Sequence, residues 1–136
     1  MTSQPATIRA TATAAAATRE MQRLGLRHLP VVDETGRLVG ILSDRDLRGP
    51  MVGSKPAGAA PTPSTVIATL MTADVVTALI DDELGVVARR IVDRRIGAVP
   101  IVDASGVPVG IISYIDVLRR LADEAEQDAR AVERMD

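Results

Sequence analysis

Two short patterns hold the residues best suited to chemistry. Ser43-Asp44-Arg45-Asp46 and Ser113-Tyr114-Ile115-Asp116 each place a carboxylate three residues after a hydroxyl. At a helix opening this spacing is a capping box, in which hydroxyl and carboxylate each satisfy an orphan backbone N–H. The same spot gathers unpaired N–H groups and the positive end of the helix dipole, which suits an anion. Arg45 adds to that in the first pattern, because a guanidinium grips phosphate with two parallel hydrogen bonds. Its plainer alternative is a solvated Arg beside Asp44 and Arg48. The second pattern has Tyr114 and Ile115 at the aligned positions and lacks the cation. Asp44 and Asp46 alone are too few for a metal. His28, the only histidine, has no nucleophile or acid at a telling spacing. Neither a catalytic residue nor a metal site is expected, so the chain is not read as an enzyme.

These patterns end two copies of one unit. His28-Leu-Pro-Val-Val-Asp33-Glu-Thr-Gly36-Arg-Leu-Val-Gly40-Ile-Leu-Ser43 returns seventy residues later as Ala98-Val-Pro-Ile-Val-Asp103-Ala-Ser-Gly106-Val-Pro-Val-Gly110-Ile-Ile-Ser113 without a gap. Internal repetition on this scale sets the architecture. In each copy an apolar run, an Asp-x-x-Gly turn and a second apolar run predict a hairpin with one well-buried strand. Gly40 and Gly110, inside strands, predict close backbone approach, most simply tight packing between the copies.

The bulk composition narrows the function. The 136 residues suit one compact domain or two intimately packed halves. Nearly half are apolar, yet Tyr114 is the only aromatic residue, so the core must be aliphatic and base stacking has no platform. The net charge of −2 gives no field for nucleic acid or an anionic membrane. No apolar run approaches a membrane span. The absence of Cys excludes disulfides and thiolate metal sites and leaves the redox compartment open; a cytoplasmic location is the expectation.

Residues 1–27 are rich in Ala, Thr and Arg, with no acid before Glu20, which has the look of a transit peptide. The repeat argues against it, since Met1-Thr2 aligns with Met71-Thr72 and Thr7 with Thr77. A short strand is predicted near Ala6–Arg9, then a helix with Ala14, Ala17, Met21 and Leu24 inward and Gly25 as its stop. The matching helix carries Leu84, Val87, Ala88, Ile91 and Val92 inward, with Gly97 after it. Arg89, Arg90, Arg94 and Arg95 read as a solvated face. Ser43 opens a short helix that Gly49-Pro50 ends. Residues 49–63 hold four prolines and three glycines and read as a linker with little fixed structure. Ser64 is expected to cap a short helix over Thr65–Met71, ahead of a strand at Val75–Leu79. The last helix runs from Ser113 past Ala129, with Leu118, Leu121, Ala122, Ala125, Ala129 and Val132 on one stripe. Tyr114 is expected to be partly buried.

Taken together, the doubled pattern strongly resembles the CBS domain, named for cystathionine β-synthase, over roughly residues 1–122. Such domains come in tandem pairs, or Bateman modules, and this chain looks like a stand-alone pair. The resemblance implies an α+β fold: two β-α-β-β-α units packed sheet to sheet about a pseudo-two-fold axis. The first motif covers residues 1–49, a Pro/Gly-rich linker 50–63, the second motif 64–122 and a C-terminal helical extension 123–136. It implies a regulatory module binding an adenosine-containing nucleotide such as AMP, ADP or ATP in the cleft, as a ligand and not as a required cofactor. A homodimer formed through the CBS pairs and an unidentified protein target are implied as partners. Carried onto this sequence, one site takes Thr7, His28, Leu29, Pro30, Ser43 and Asp46, with Arg45 near phosphate. The other takes Thr77, Ala98, Val99, Pro100, Ser113 and Asp116. In the family the Asp bonds the ribose hydroxyls, the Ser or Thr lies near phosphate, and adenine rests on the apolar residues. The alternative is a structural dimerisation or docking module whose clefts stay empty.

Overall fold

The computed structural model describes residues 6–48, 51–52, 55–56 and 60–134. The first unit runs β1 (Ile8–Arg9), α1 (Ala14–Leu24), β2 (His28–Val32), β3 (Leu38–Ser43) and α2 (Asp44–Arg48). A small hairpin follows, β4 (Met51–Val52) with β5 (Lys55–Pro56), and then a single 3-10 turn at Ile67–Thr69. The second unit is β6 (Ala78–Leu79), α3 (Leu84–Arg94), β7 (Ala98–Val102), β8 (Pro108–Ser113) and α4 (Tyr114–Arg134). Each unit has a three-stranded sheet, ordered β1-β2-β3 and β6-β7-β8, whose first pair is parallel and second antiparallel. The fold is α+β, as the repeat and the family resemblance led us to expect.

The two hairpins agree residue for residue. His28 pairs Ser43 and Val31 pairs Gly40; Ala98 pairs Ser113 and Ile101 pairs Gly110. Both slip register at the same place, between Val31 and Val32 and between Ile101 and Val102. The turns fix that register. Asp33 Oδ1 accepts the N–H groups of Thr35 (2.8 Å) and Arg37 (3.1 Å) and the hydroxyl of Thr35 (2.6 Å). The Thr35 hydroxyl in particular holds the Asp33 carboxyl below its ordinary pKa. Asp103 Oδ1 repeats the two backbone bonds with Ser105 and Val107. Gly36 and Gly106 sit at φ of 86° and 83°, where a side chain would be strained.

Each unit has its own aliphatic core. Ala17, Met21, Leu29, Val31, Leu42 and Ile67 form the first; Ala78, Val87, Ile91, Val99, Ile101 and Val117 form the second. Several helix positions differ from the expected faces. Leu24, the last residue of α1, and Val92, which falls to one side of the buried Val87–Ile91 stripe of α3, are exposed. On α4 Val117 reaches the core, while Leu118 and Leu121 of the expected stripe are exposed. The stop of α3 also differs: Arg95, not a glycine, takes the left-handed conformation at φ 54°, aligned with Gly25 of α1 at φ 66°.

The connection between units is more ordered than its composition implies. Part of it forms the β4–β5 hairpin, and the expected stop at Gly49-Pro50 lies outside the described residues. Ser64 caps nothing; the 3-10 turn begins after Val66, which makes no side-chain cap. Instead residues 63–72 cross back onto the first unit. Ala14 N–H donates to Thr65 O at 2.8 Å, Ala15 N–H to Pro63 O at 3.0 Å, and Ile67 N–H to Ala12 O at 2.9 Å. Thr72 then exchanges two backbone bonds with Ile41, at 2.9 and 3.0 Å. So the stretch that opens the second copy in sequence completes the first in space. The aligned Met1-Thr2 lies outside the described residues.

This crossing explains Gly40. A Cβ there would lie 2.5 Å from Met71 Sδ and 3.0 Å from Thr72 O. The thioether is a flexible side chain, but Thr72 O is fixed by its bond to Ile41. Gly40→Ala is therefore expected to cost about 1–3 kcal/mol through overpacking, read as a lower denaturation midpoint at unchanged slope.

The sheets of the two units face one another. The His28 ring lies against Gly97, and Leu38 N–H donates to Gly106 O at 2.9 Å. Shifted by the repeat length, Gly97 corresponds to Arg27 and Gly106 to Gly36. Each segment thus meets nearly its own equivalent, as a two-fold relation between the copies requires.

Candidate functional site

The first candidate site is built at the end of β2 and β3. Residues directly opposite in an antiparallel pair share a face, so His28 and Ser43, which are partners, stand side by side toward the second unit. Leu29 and Val31 point the other way, into the helix-covered core. Pro30 returns to the His28 side by strand alternation and is fully buried. Thr7 immediately precedes Ile8, the partner of Val31, and so sits level with Pro30, exposed. Ser43 and Asp46 close a full capping box: Ser43 N–H donates to Asp46 Oδ2 at 2.9 Å and Asp46 N–H to Ser43 Oγ at 3.1 Å. Asp46 Oδ1 and the Ser43 hydroxyl hydrogen have no partner among the described residues. Arg45 is exposed beside them. The helix they open, α2, has only five described residues, so charge near this site comes from Arg45 more than from a helix dipole.

The second candidate site repeats the frame with different chemistry. Ala98 pairs Ser113, and Thr77 lies level with Pro100. Asp116 Oδ2 accepts both the Ser113 N–H (2.9 Å) and the Ser113 hydroxyl (3.0 Å), so here the hydroxyl is turned onto the carboxylate. Ala98, Val99 and Pro100 are buried, Val99 in the core of its own unit. Tyr114 is 48% exposed, more open than its expected partial burial, at the first residue of α4, ahead of the turn in which Val117 reaches the core.

Residues 1–53 and 67–123 match the CBS domain family. The chain belongs to that family. Its CBS pair is 39% identical over 101 residues to the magnesium transporter MgtE of Thermus thermophilus, covering 74% of this chain and 20% of the transporter. The CBS pair of protein MJ0100, solved with 5′-methylthioadenosine and S-adenosyl-L-methionine, superposes with a TM-score of 0.78 at 28% identity, covering 91% of this chain and 93% of that one. The cytosolic domain of the Mg2+ channel MgtE, solved with ATP, superposes with a TM-score of 0.72 at 33% identity, over 88% of this chain and 46% of that one. The chain spans between about a sixth and a half of the length of the curated relatives it matches, and about a fifth of most of them. No helix among the described residues is long and apolar enough to cross a membrane.

Two features of this CBS pair escape a reading of the sequence. Arg90 is not part of a solvated face: its Nη1 donates to Thr77 O at 2.9 Å and to Asp82 Oδ2 at 3.0 Å. Asp82 in turn accepts from Leu79 N–H, and these bonds lower its pKa. The first unit has Glu20 and Ala12 at the aligned positions, so only Thr77 is tied down this way. The signal was that mismatch between copies. A hollow of about 590 Å³ also lies between α1 and α2, lined by Met21, Leu26 and Leu47 among others. It is on the helical side of the first unit, away from Ser43 and Asp46.

Proposed function

We propose that this chain is a regulatory ligand-sensing module that takes an adenosine-containing nucleotide between its two units and passes the resulting shift to a protein partner. The observation that supports this best is the Ser-x-x-Asp frame, repeated in identical register at strand ends that face the opposite unit. In this reading Asp46 and Asp116 take ribose hydroxyls. Ser43 and Arg45 take phosphate, which makes the first cleft the one for charged nucleotides. The Ser43 hydroxyl hydrogen, which has no acceptor among the described residues, favours that choice over Ser113, whose hydroxyl already donates to Asp116. Thr7, Pro30, Thr77, Ala98 and Pro100 border the base. Leu29 and Val99 contribute backbone only, since their side chains lie in the cores. The relatives solved with ATP and with S-adenosyl-L-methionine support an adenosine ligand. A homodimer formed through the CBS pairs fits the exposed Leu118, Leu121 and Val92.

A ligand shifts such a pair only by its differential affinity for the two arrangements. A thermal-shift panel over adenosine, AMP, ADP, ATP and S-adenosylmethionine is the direct test. At about a hundred times its Kd the true ligand adds roughly 2.7 kcal/mol, a rise of several degrees in Tm for a chain of this size. A flat panel would favour the second reading, a docking module, for which the fully buried Pro30 and Pro100 speak.

A further inference from the structure

His28 is the least explained polar group in the molecule. It is half-buried between the units, with its Cε1 and Nε2 edge against Gly97. Neither ring nitrogen has a hydrogen-bond partner among the described residues. The ring shares a strand face with Ser43, whose hydroxyl accepts from Asp46 N–H but donates to no described residue, and lies close enough to Asp44 and Asp46 on α2 to feel both carboxylates. Arg27, the preceding residue, opposes them, and the contact from the second unit, Gly97, brings no charge. Ala98 holds the aligned position in the second copy, so nothing in the repeat requires an imidazole here.

We propose that His28 is a specificity-determining residue of the first cleft: as an imidazolium it pairs with an anionic group of the bound molecule, so anionic adenosine compounds bind with uptake of one proton from solvent and neutral ones do not. This rests on the adenosine-binding reading above. Without ligand, loss of solvation outweighs the two carboxylates and holds the imidazole below the usual histidine pKa. Protonation therefore works against the ligand-free fold: the stability this ring contributes is present above the ordinary histidine pKa and lost as pH falls through the lowered one. An anion entering beside Ser43 supplies the missing counter-charge and reverses the balance.

Because His28 is the only histidine, its Cε1–H resonance reports one titration without assignment. The full chain is titrated alone, with saturating adenosine, and with saturating adenosine 5′-sulfate, whose charge does not titrate in this range. The expected result is a midpoint about one unit higher with the sulfate than with adenosine, matched by sulfate binding roughly two- to sixfold tighter at pH 6 than at pH 8. In His28→Gln the pH dependence of sulfate binding should vanish, whatever affinity the variant retains. If both compounds bind and the midpoint does not move, or if the variant keeps the pH dependence, the role of His28 is overturned and the adenosine reading stands. If neither compound perturbs the spectrum, both are overturned.

Discussion

Ile67→Ala is expected to destabilise the whole chain by about 3 kcal/mol, within the range seen when a fully buried aliphatic side chain is truncated. For a chain of this size that is a fall of roughly 10 °C in Tm. Ile67 has no exposed surface and packs with Leu29, Val31 and Leu42 in the first core. It arrives there on the segment that leads into the second unit, held by Ile67 N–H to Ala12 O and Ala68 N–H to Ala10 O. The cavity should therefore loosen the tie between units as well as one core. Val66→Ala, one residue earlier and 42% exposed, should cost no more than about 0.5 kcal/mol. Chemical denaturation of the two variants beside the parent makes the comparison. Equal effects would mean that residues 63–72 do not hold the first unit together. A single transition for Ile67→Ala would show that the units still unfold as one body.

The repeated hairpin was legible because three local signals agree there. Alternating apolar runs, an Asp that bonds its own turn, and a Gly free to take positive φ each point to the same register. The capping boxes were legible for the same reason, since both partners lie within four residues. What the sequence hid depends on contacts between segments far apart. Ile67 reads as part of a short helix because its neighbours are helix-compatible; only the first unit's unfilled core draws it across. Gly97 reads as a glycine near a helix end, yet its lack of a Cβ serves the His28 ring, 3.1 Å from where that Cβ would stand. Arg95 accepts the left-handed cap instead, at an expense of about 1–2 kcal/mol for a residue with a side chain. Leu118 and Leu121 followed a helical period, but α4 leaves its own sheet after Val117, so the period continues without a core to face.

The two copies are alike in backbone and unlike in chemistry, and the difference bears on the site. Ser113 gives its hydroxyl to Asp116, and Arg90 ties the Thr77 carbonyl. The first unit leaves the Ser43 hydroxyl hydrogen, Asp46 Oδ1 and the His28 ring nitrogens without partners among the described residues. Groups left unsatisfied at the face between two units cost little while water reaches them and become contacts when a ligand displaces that water. The two frames share one backbone, and only the second has these groups paired from within.

Asp46→Asn should isolate that difference. The amide oxygen of Asn can still accept the Ser43 N–H now bonded to Oδ2 at 2.9 Å, so the cap survives and stability should change by less than about 1 kcal/mol. What is lost is a charged acceptor for the ribose hydroxyls, worth about 1.5–3 kcal/mol for hydrogen bonds to an ionised group. That corresponds to roughly ten- to a hundredfold weaker nucleotide binding. Asp116→Asn should leave the charged nucleotide's affinity within about twofold, since its frame lacks a cation and its carboxylate already holds Ser113. Calorimetry on both variants with the ligand found by the thermal panel decides between them. The assignment of the first cleft would be overturned by the reverse order, with Asp116→Asn losing the nucleotide and Asp46→Asn keeping it. Equal losses would mean that both frames bind, and that a cation beside Ser43 is not what selects the phosphate.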